Sequence, residues 1–317
     1  MTETTKKELK EGTNKVTVVG TLVEKNLEEK TFTNSNGETV EQIVGTISVR
    51  TGENEVHQVR LRSNKLTKAG TENGLYKGYQ TVNTMISVAD TANNPDLVPD
   101  IVRVNGKLTT NEYYGQDGQL RQFQQIEGRF VNRLKDGEDS TPQASYEVDI
   151  FISNVKPEIQ DEIETGRAVV NAYIPTFNAI VPYQFKVIEA GSDFFLNELE
   201  KSQTLKVYGN ILNVKKETIK FVEAAFGDPI EEKSYTYISE SLINNAKVPY
   251  DSDSANAFDP EQIKERLVKR EIYLEQQKAR SNGGGQTTDN RPNAFGGAPS
   301  IPKKADIPVD VSKLFEY

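Results

Sequence analysis

The residues with the most chemistry in this sequence flank one short turn. Tyr113 and Tyr114 precede Gly115-Gln116-Asp117-Gly118-Gln119, and Arg121 and Phe123 follow it. A Tyr or Phe ring offers a π-face on which any nucleobase can stack, worth ~1–3 kcal/mol per base, and Arg or Lys offers a cation to a phosphate. Consecutive strand residues point to opposite faces, so at least one of Tyr113 and Tyr114 must point away from a core. Arg121 and Phe123 share one face of the returning strand. Arg60 and Arg62 share a face opposite Leu61, and Arg103 and Lys107 flank another strand-like run. Tyr76, Lys77 and Tyr79 are expected in a loop able to close over that strand. Together these residues are the leading candidate nucleic-acid surface. Tyr173, Phe177, Tyr183 and Tyr208, with Lys206, Lys215 and Lys216 for phosphates, form a weaker set in the second half.

Other chemistry has little to work with. There is no Cys, and His57 is the single His, so disulfides, thiolate metal sites and His clusters have no ligands. A Ser-His-Asp triad would have to use His57. No G-x-x-x-x-G-K-[ST], H-E-x-x-H or G-x-S-x-G run occurs. Gly283-Gly284-Gly285 follows no strand, and the acid pairs Asp161-Glu162 and Glu231-Glu232 read as solvated surface. A non-enzymatic protein without metal or cofactor is expected. The net charge of −9 and pI of about 5.0 oppose nucleic-acid binding at first sight. Distribution matters more than the total. Between Ile43 and Leu134, eleven Lys and Arg face nine Asp and Glu, a small local excess of positive charge.

The elements that must hold these residues are mostly strands. Val16, Val18, Gly20 and Leu22 alternate with a period of two, the mark of a half-buried strand. Asn34-Ser35-Asn36-Gly37 reads as a turn. Residues 40–51 and 54–62 read as two more strands joined through Gly52. Asn64–Gly70 is expected to form a short helix, and Thr81–Asp90 a strand. Residues 100–114 and 120–134 are strand-like about the central turn, and 135–143 is a polar break. In the second half, three strand patterns, a helix over 191–203 capped by Ser192 or Asp193, and two further strands follow. Val-Thr-Val-Val-Gly-Thr-Leu at 16–22, Val-Arg-Val-Asn-Gly-Lys-Leu at 102–108 and Leu-Lys-Val-Tyr-Gly-Asn-Ile at 205–211 share a glycine after a β-rich run. Such glycines mark the sharp bends a small closed barrel needs.

Beyond residue 245 the character changes. Asp259-Pro260 is a helix start, and Ile263, Leu267 and Leu274 give the helix a thin apolar stripe expected to pack on its parent domain. The Gly/Pro/Asn-rich run from 281 to 305 reads as a disordered linker. Residues 306–317 restore apolar side chains beside acids, the pattern of a short partner-binding tip: Asp306, Ile307, Pro308, Asp310, Leu314 and Phe315.

Several segments, in order, resemble the bacterial and phage single-stranded-DNA-binding proteins. Asn14-Lys15-Val16 with Gly20 and Leu22 resembles that family's first strand, and Glu55-Val56-His57-Gln58-Val59 its third. Val102–Leu108, followed by Tyr113, Asp117, Gly118 and Arg121, resembles its fourth strand, hairpin and fifth strand. The Gly-rich linker and Asp306-Ile307-Pro308 resemble its tail. The resemblance implies an OB-fold, base stacking by Tyr113, and a tail that recruits other replication or recombination proteins.

The expectation is therefore a mainly β chain: an OB-fold barrel, two in tandem, with a C-terminal helix and a disordered tail. Its parts are an arm over 1–13, a binding domain over 14–138, a second OB-like domain over 145–245, a helix over 259–280, then linker and tip. The expected function is sequence-nonspecific coating and protection of single-stranded DNA in phage or plasmid replication, recombination or repair. A β-rich structural or adaptor protein, such as a virion component, and a strand-annealing recombination protein are the alternatives. Self-association is a further expectation. The polar, lysine-rich start and the lack of any run near the roughly 20 apolar residues of a membrane helix predict a cytoplasmic protein, in the bacterial host if phage-encoded.

Overall fold

Alternation of small apolar residues with polar ones drives the first 130 residues into five strands. They are β1 (Asn14–Thr33), β2 (Thr39–Gly52), β3 (Glu55–Asn64), β4 (Ile101–Tyr114) and β5 (Leu120–Arg133). The computed structural model describes residues 10–282 apart from 35, 36, 93, 95, 116, 178, 224, 225 and 229. Most of the expected arm, the linker beyond 282 and the tip lie outside the described residues. β1 pairs β2 and β4, β2 pairs β3, β4 pairs β5, and a short parallel contact between β3 and β5 closes the ring. Five strands closed in this order, with helical structure between the third and fourth, are an OB-fold.

The second half repeats the topology. β6 (Gln143–Gln160), β7 (Ile163–Pro175), β8 (Ile180–Val187), β9 (Thr204–Val222) and β10 (Ile230–Ala246) close through a parallel contact of β8 with β10. The chain is thus mainly β, with two OB barrels. Val16–Val19 of β1 also pair with Gln143–Tyr146 of β6, so one sheet runs through both barrels. Apolar residues of the two barrels form one continuous core cluster.

Two glycines show how a strand serves two partners. β1 runs against β4 as far as Thr21 and against β2 from Thr21 onward. At this switch a Cβ on Gly20 would lie 2.1 Å from the Arg50 carbonyl oxygen. In β9, a Cβ on Gly209 would lie 1.9 Å from that of Leu242. Only glycine permits such approaches.

Three local expectations are corrected. Asn64–Gly70 is not helical: Asn64 ends β3, and Leu66 makes a lone bridge with Glu72. Thr81–Asp90 is not a strand. Helix α1 (Gly74–Asn83) starts at Asn73, whose side chain accepts from the Leu75 N–H, and α2 (Val88–Thr91) starts at a Ser87–Asp90 capping box. Tyr76, Tyr79, Val82 and Met85 recur every third residue and are buried against the barrel, which is a helical period. In the second barrel, α3 (Glu189–Asp193) begins after Ile188, and continues as a π turn over Phe194–Glu198; Ser192 lies inside it, buried, and caps nothing.

Helix α4 (Pro260–Asn282) packs Ile263 and Leu267 with Phe151 and Ile180 of the second barrel and with Phe258 of the segment that precedes the helix. Its Arg270 pairs with Glu112 of β4. No helix among the described residues is long and apolar enough to cross a membrane.

Candidate nucleic-acid interface

The β4–β5 hairpin sets Tyr113 opposite Arg121 and Asn111 opposite Phe123, so these four share one face. The Tyr113 and Phe123 rings stack with centroids 5.8 Å apart and planes 12° from parallel. A third ring between them would need about 7 Å, so a base can only extend this stack, on a free ring face. Phe123 is 52% exposed. Arg121 holds Asp117 at 3.2 Å; the Gln119 N–H foremost, and then this ion pair, lower the Asp117 carboxyl, and the ion pair raises the guanidinium. Tyr114 points to the opposite face, where the Lys278 ammonium lies 5.7 Å from its ring centre. That second face is braced: Thr110 Oγ1 donates to the Pro182 carbonyl at 2.6 Å, and Gln124 Nε2 to that of Gln184 at 2.8 Å.

On β3, His57, Val59, Leu61 and Ser63 point inward, which turns Arg60 and Arg62 outward. The parallel register puts Arg60 beside Glu127 of β5, four residues from Phe123 and about 13 Å away along the strand. Arg62 Nε donates to Gln42 Oε1 at 3.1 Å. Burial pushes the Arg62 guanidinium below its ordinary value, Arg60 adds to this and Glu127 opposes it. It remains a cation at neutral pH. Lys107 of β4 faces Glu127 at 3.5 Å. Arg60 and Arg62 line a cleft of about 400 Å³ together with Phe32 and Val40 of the β1–β2 hairpin, Lys68 and, as its one carboxylate among the described residues, Glu127. Phe32 and Val40, which face each other across that hairpin, escaped the sequence reading. Their alternation was visible, but not that the hairpin folds over β3 and β5.

Other candidates sit elsewhere. Tyr76 and Tyr79 belong to α1 and plug the barrel, which corrects the expected loop. The Tyr79 hydroxyl donates to the Gly128 carbonyl at 2.8 Å, and burial pushes the phenol above its ordinary range. Neither ring can reach a base. Lys77 lies on the outside of α1 and pairs with Glu72 at 2.6 Å. Arg103 donates to the Asp139 carbonyl at 2.7 Å, in the β5–β6 connection.

The second-barrel set is not brought together. Tyr183 is core: its hydroxyl meets Ser241 Oγ at 2.9 Å, and burial pushes it up to about 12. Tyr173 packs on the Phe151 cluster, and Tyr208 is half-buried opposite Glu147. Lys206 is held by Glu147 at 2.8 Å and Thr13 Oγ1 at 2.7 Å, so it is a structural cation rather than a phosphate contact. Phe177, in the β7–β8 turn, and Lys215 and Lys216, neighbours on β9, are exposed and lie on different elements from the rest of the set. At the β8–β10 closure, Arg167 and Lys186 are both tied to Glu158 and Glu240, at 2.6–2.9 Å. Arg167 foremost holds the Glu158 carboxyl down at about 2. Cations on this part of the second barrel are therefore matched by carboxylates. Among the described residues, no group of three His, Asp or Glu could hold a metal ion.

No curated protein matches the sequence. Among solved structures, the wild-type single-stranded DNA binding protein from Thermus aquaticus is similar at a TM-score of 0.44 and 12% identity, over 77% of this chain and 97% of that one. A deletion mutant of the same protein is similar at 0.39 and 13%, over 77% and 98%. A family model described as YorF matches residues 12–280, from the start of the first barrel through most of α4, and the chain accordingly belongs to the YorF family.

Proposed function

We propose that this chain binds single-stranded DNA, without sequence preference, along the outer face of its first barrel. The observation that carries the reading is the Tyr113–Phe123 stack beside Arg121, on the strand pair that also leads to Arg60 and Arg62. OB-folds bind oligonucleotides on the face of their second and third strands, between the first and last hairpins. Here those hairpins supply Phe32 and Val40 at one side and Phe123 and Tyr113 at the other. A solvent-screened surface pair such as Arg121–Asp117 contributes little, so exchanging Asp117 for a phosphate costs little.

On this reading the protein coats and protects single strands during phage or plasmid DNA replication, recombination or repair. The tail, through Asp306–Phe315, recruits its partners. Titrating a fluorescent oligo-dT at two salt concentrations tests the binding. Micromolar or tighter affinity is expected. With Arg60, Arg62, Lys107 and Arg121 as phosphate contacts, the log–log salt slope is about −3. Tyr113→Ala with Arg121→Ala is expected to weaken binding about tenfold or more. No binding at low salt would sink the proposal and leave a structural or adaptor role. Adding a complementary strand then distinguishes coating from annealing.

A further inference from the structure

We propose that the free edge of β10 is a self-association surface, along which a second copy of this chain pairs antiparallel. The inference stands apart from nucleic-acid binding. β9 and β10 are 19 and 17 residues long, and they outrun their barrel. β6 leaves β9 at Asn210, β3 touches it at Val214, and β8 meets β10 only at Leu242 and Ile243. Among the described residues, β10 from Ile230 to Ser241 pairs with β9 alone, so its other backbone edge is open.

Sheet edges are ordinarily guarded by Lys, Pro, bulges or short length. The β9 edge is guarded, by Lys215, Lys216, Glu217 and Lys220. The β10 edge is not. Ser234-Tyr-Thr-Tyr-Ile-Ser239 has no charge, Pro or Gly, its register is unbroken, and its aromatic and β-branched residues favour strand pairing. The face it shares with β9 also exposes large apolar groups: Ile219 47%, Phe221 72%, Tyr235 47% and Tyr237 70%.

Charge argues for a protein occupant rather than a phosphate backbone. Lys233 is held between Glu217 at 3.1 Å and Glu231 at 3.4 Å, and the Lys215 ammonium sits 3.9 Å over the Tyr235 ring. The cations of this face are engaged, and its carboxylates repel phosphate. Symmetry argues for a second copy. Two identical edges pairing antiparallel about a two-fold axis bring like faces together. The register centred on Thr236 sets Tyr235 opposite the second copy's Tyr237 twice, and such aromatic cross-strand pairs are stabilising. An edge contact of this length covers less than the roughly 1,200 Å² of a stable interface, so the association is weak and concentration-driven.

The chain lacks cysteine, so Thr236→Cys can pair only with its own counterpart. Opposed residues of an antiparallel pair lie about 4.5–5.5 Å apart, within disulfide reach. Without nucleic acid, the oxidised dimer is expected to form about tenfold faster for Thr236→Cys than for the exposed control Ser252→Cys. Adding Tyr237→Lys to Thr236→Cys is expected to remove that advantage while circular dichroism is unchanged. Equal rates for the two cysteine variants would overturn the proposal, as would a Tyr237→Lys variant that cross-links undiminished. So would a Tyr235→Ala, Tyr237→Ala variant that loses oligo-dT affinity but cross-links through Thr236→Cys as before. Because cross-linking is read without DNA, failure of the DNA-binding reading leaves this test intact.

Discussion

His57 is the chain's single imidazole and lies 1% exposed inside the first barrel, its Nε2 3.0 Å from Thr51 Oγ1. Burial keeps it neutral by lowering its pKa, and Glu55, whose carboxylate is 3.5 Å away, opposes this more weakly. In the unfolded chain it takes a proton near pH 6.5. Between that value and the lower folded one, the unfolded state binds more protons than the native state. Stability therefore rises with pH across this window and falls as pH drops through it. Denaturant midpoints are expected to decline from pH 7.5 to 5.5, and His57→Gln to flatten that decline. NMR can follow the one imidazole directly, and a titration at or above about 6.5 would contradict the burial argument.

At the scale of elements, the two kinds of glycine make opposite demands. Gly209→Ala would drive a methyl into the Leu242 carbonyl oxygen and is expected to cost about 3 kcal/mol in denaturant unfolding. Gly78→Ala meets nothing on the exposed side of α1 and is expected to stabilise by ~0.5–1 kcal/mol. Equal effects would mean that the strand approach at Gly209 is not tight. The strands were legible because Val16, Val18 and Leu22, and later Val59 and Leu61, alternate plainly, and the recurring glycine marked where strands change partners. Helix α1 was not, because Tyr76 and Tyr79 resemble exposed loop aromatics until the barrel end they fill is known. The Ser87–Asp90 capping box was present in the sequence but masked by the alternation around Val82 and Ile86. The Tyr113–Arg121 hairpin could be read because its partners are neighbours across one turn. Phe32, and the open Tyr235–Tyr237 edge, depend on where distant strands end, which no local pattern records.

For the whole molecule, the decisive feature is that the two closed barrels share one sheet. Val16–Val19 of β1 carry β4 on one edge and β6 on the other. Asp149 of β6 accepts from the Thr13 N–H at 2.7 Å and from the Tyr250 hydroxyl at 3.1 Å, tying the entry to the first barrel onto the second. The back of the β4–β5 hairpin rests on β8 and, through Glu112 and Arg270, on α4. Unfolding the first barrel would strip β6 of a partner strand and leave the backbone of Gln143–Val148 unpaired on that side, at roughly 1 kcal/mol for each of several lost hydrogen bonds. The barrels should therefore open together. Native-state hydrogen exchange checks this. With increasing denaturant, core amides of Ile47 in the first barrel and Val170 in the second are expected to merge onto one isotherm, at one free energy with one slope. If Ile47 exchanges by a smaller opening while Val170 stays protected, the barrels are independent. The face bearing Tyr113 and Arg121 would then rest on its own barrel alone, and Arg270→Ala should leave oligo-dT affinity unchanged. If they merge, Arg270→Ala loosens the hairpin from behind and is expected to weaken that affinity severalfold without touching the strand.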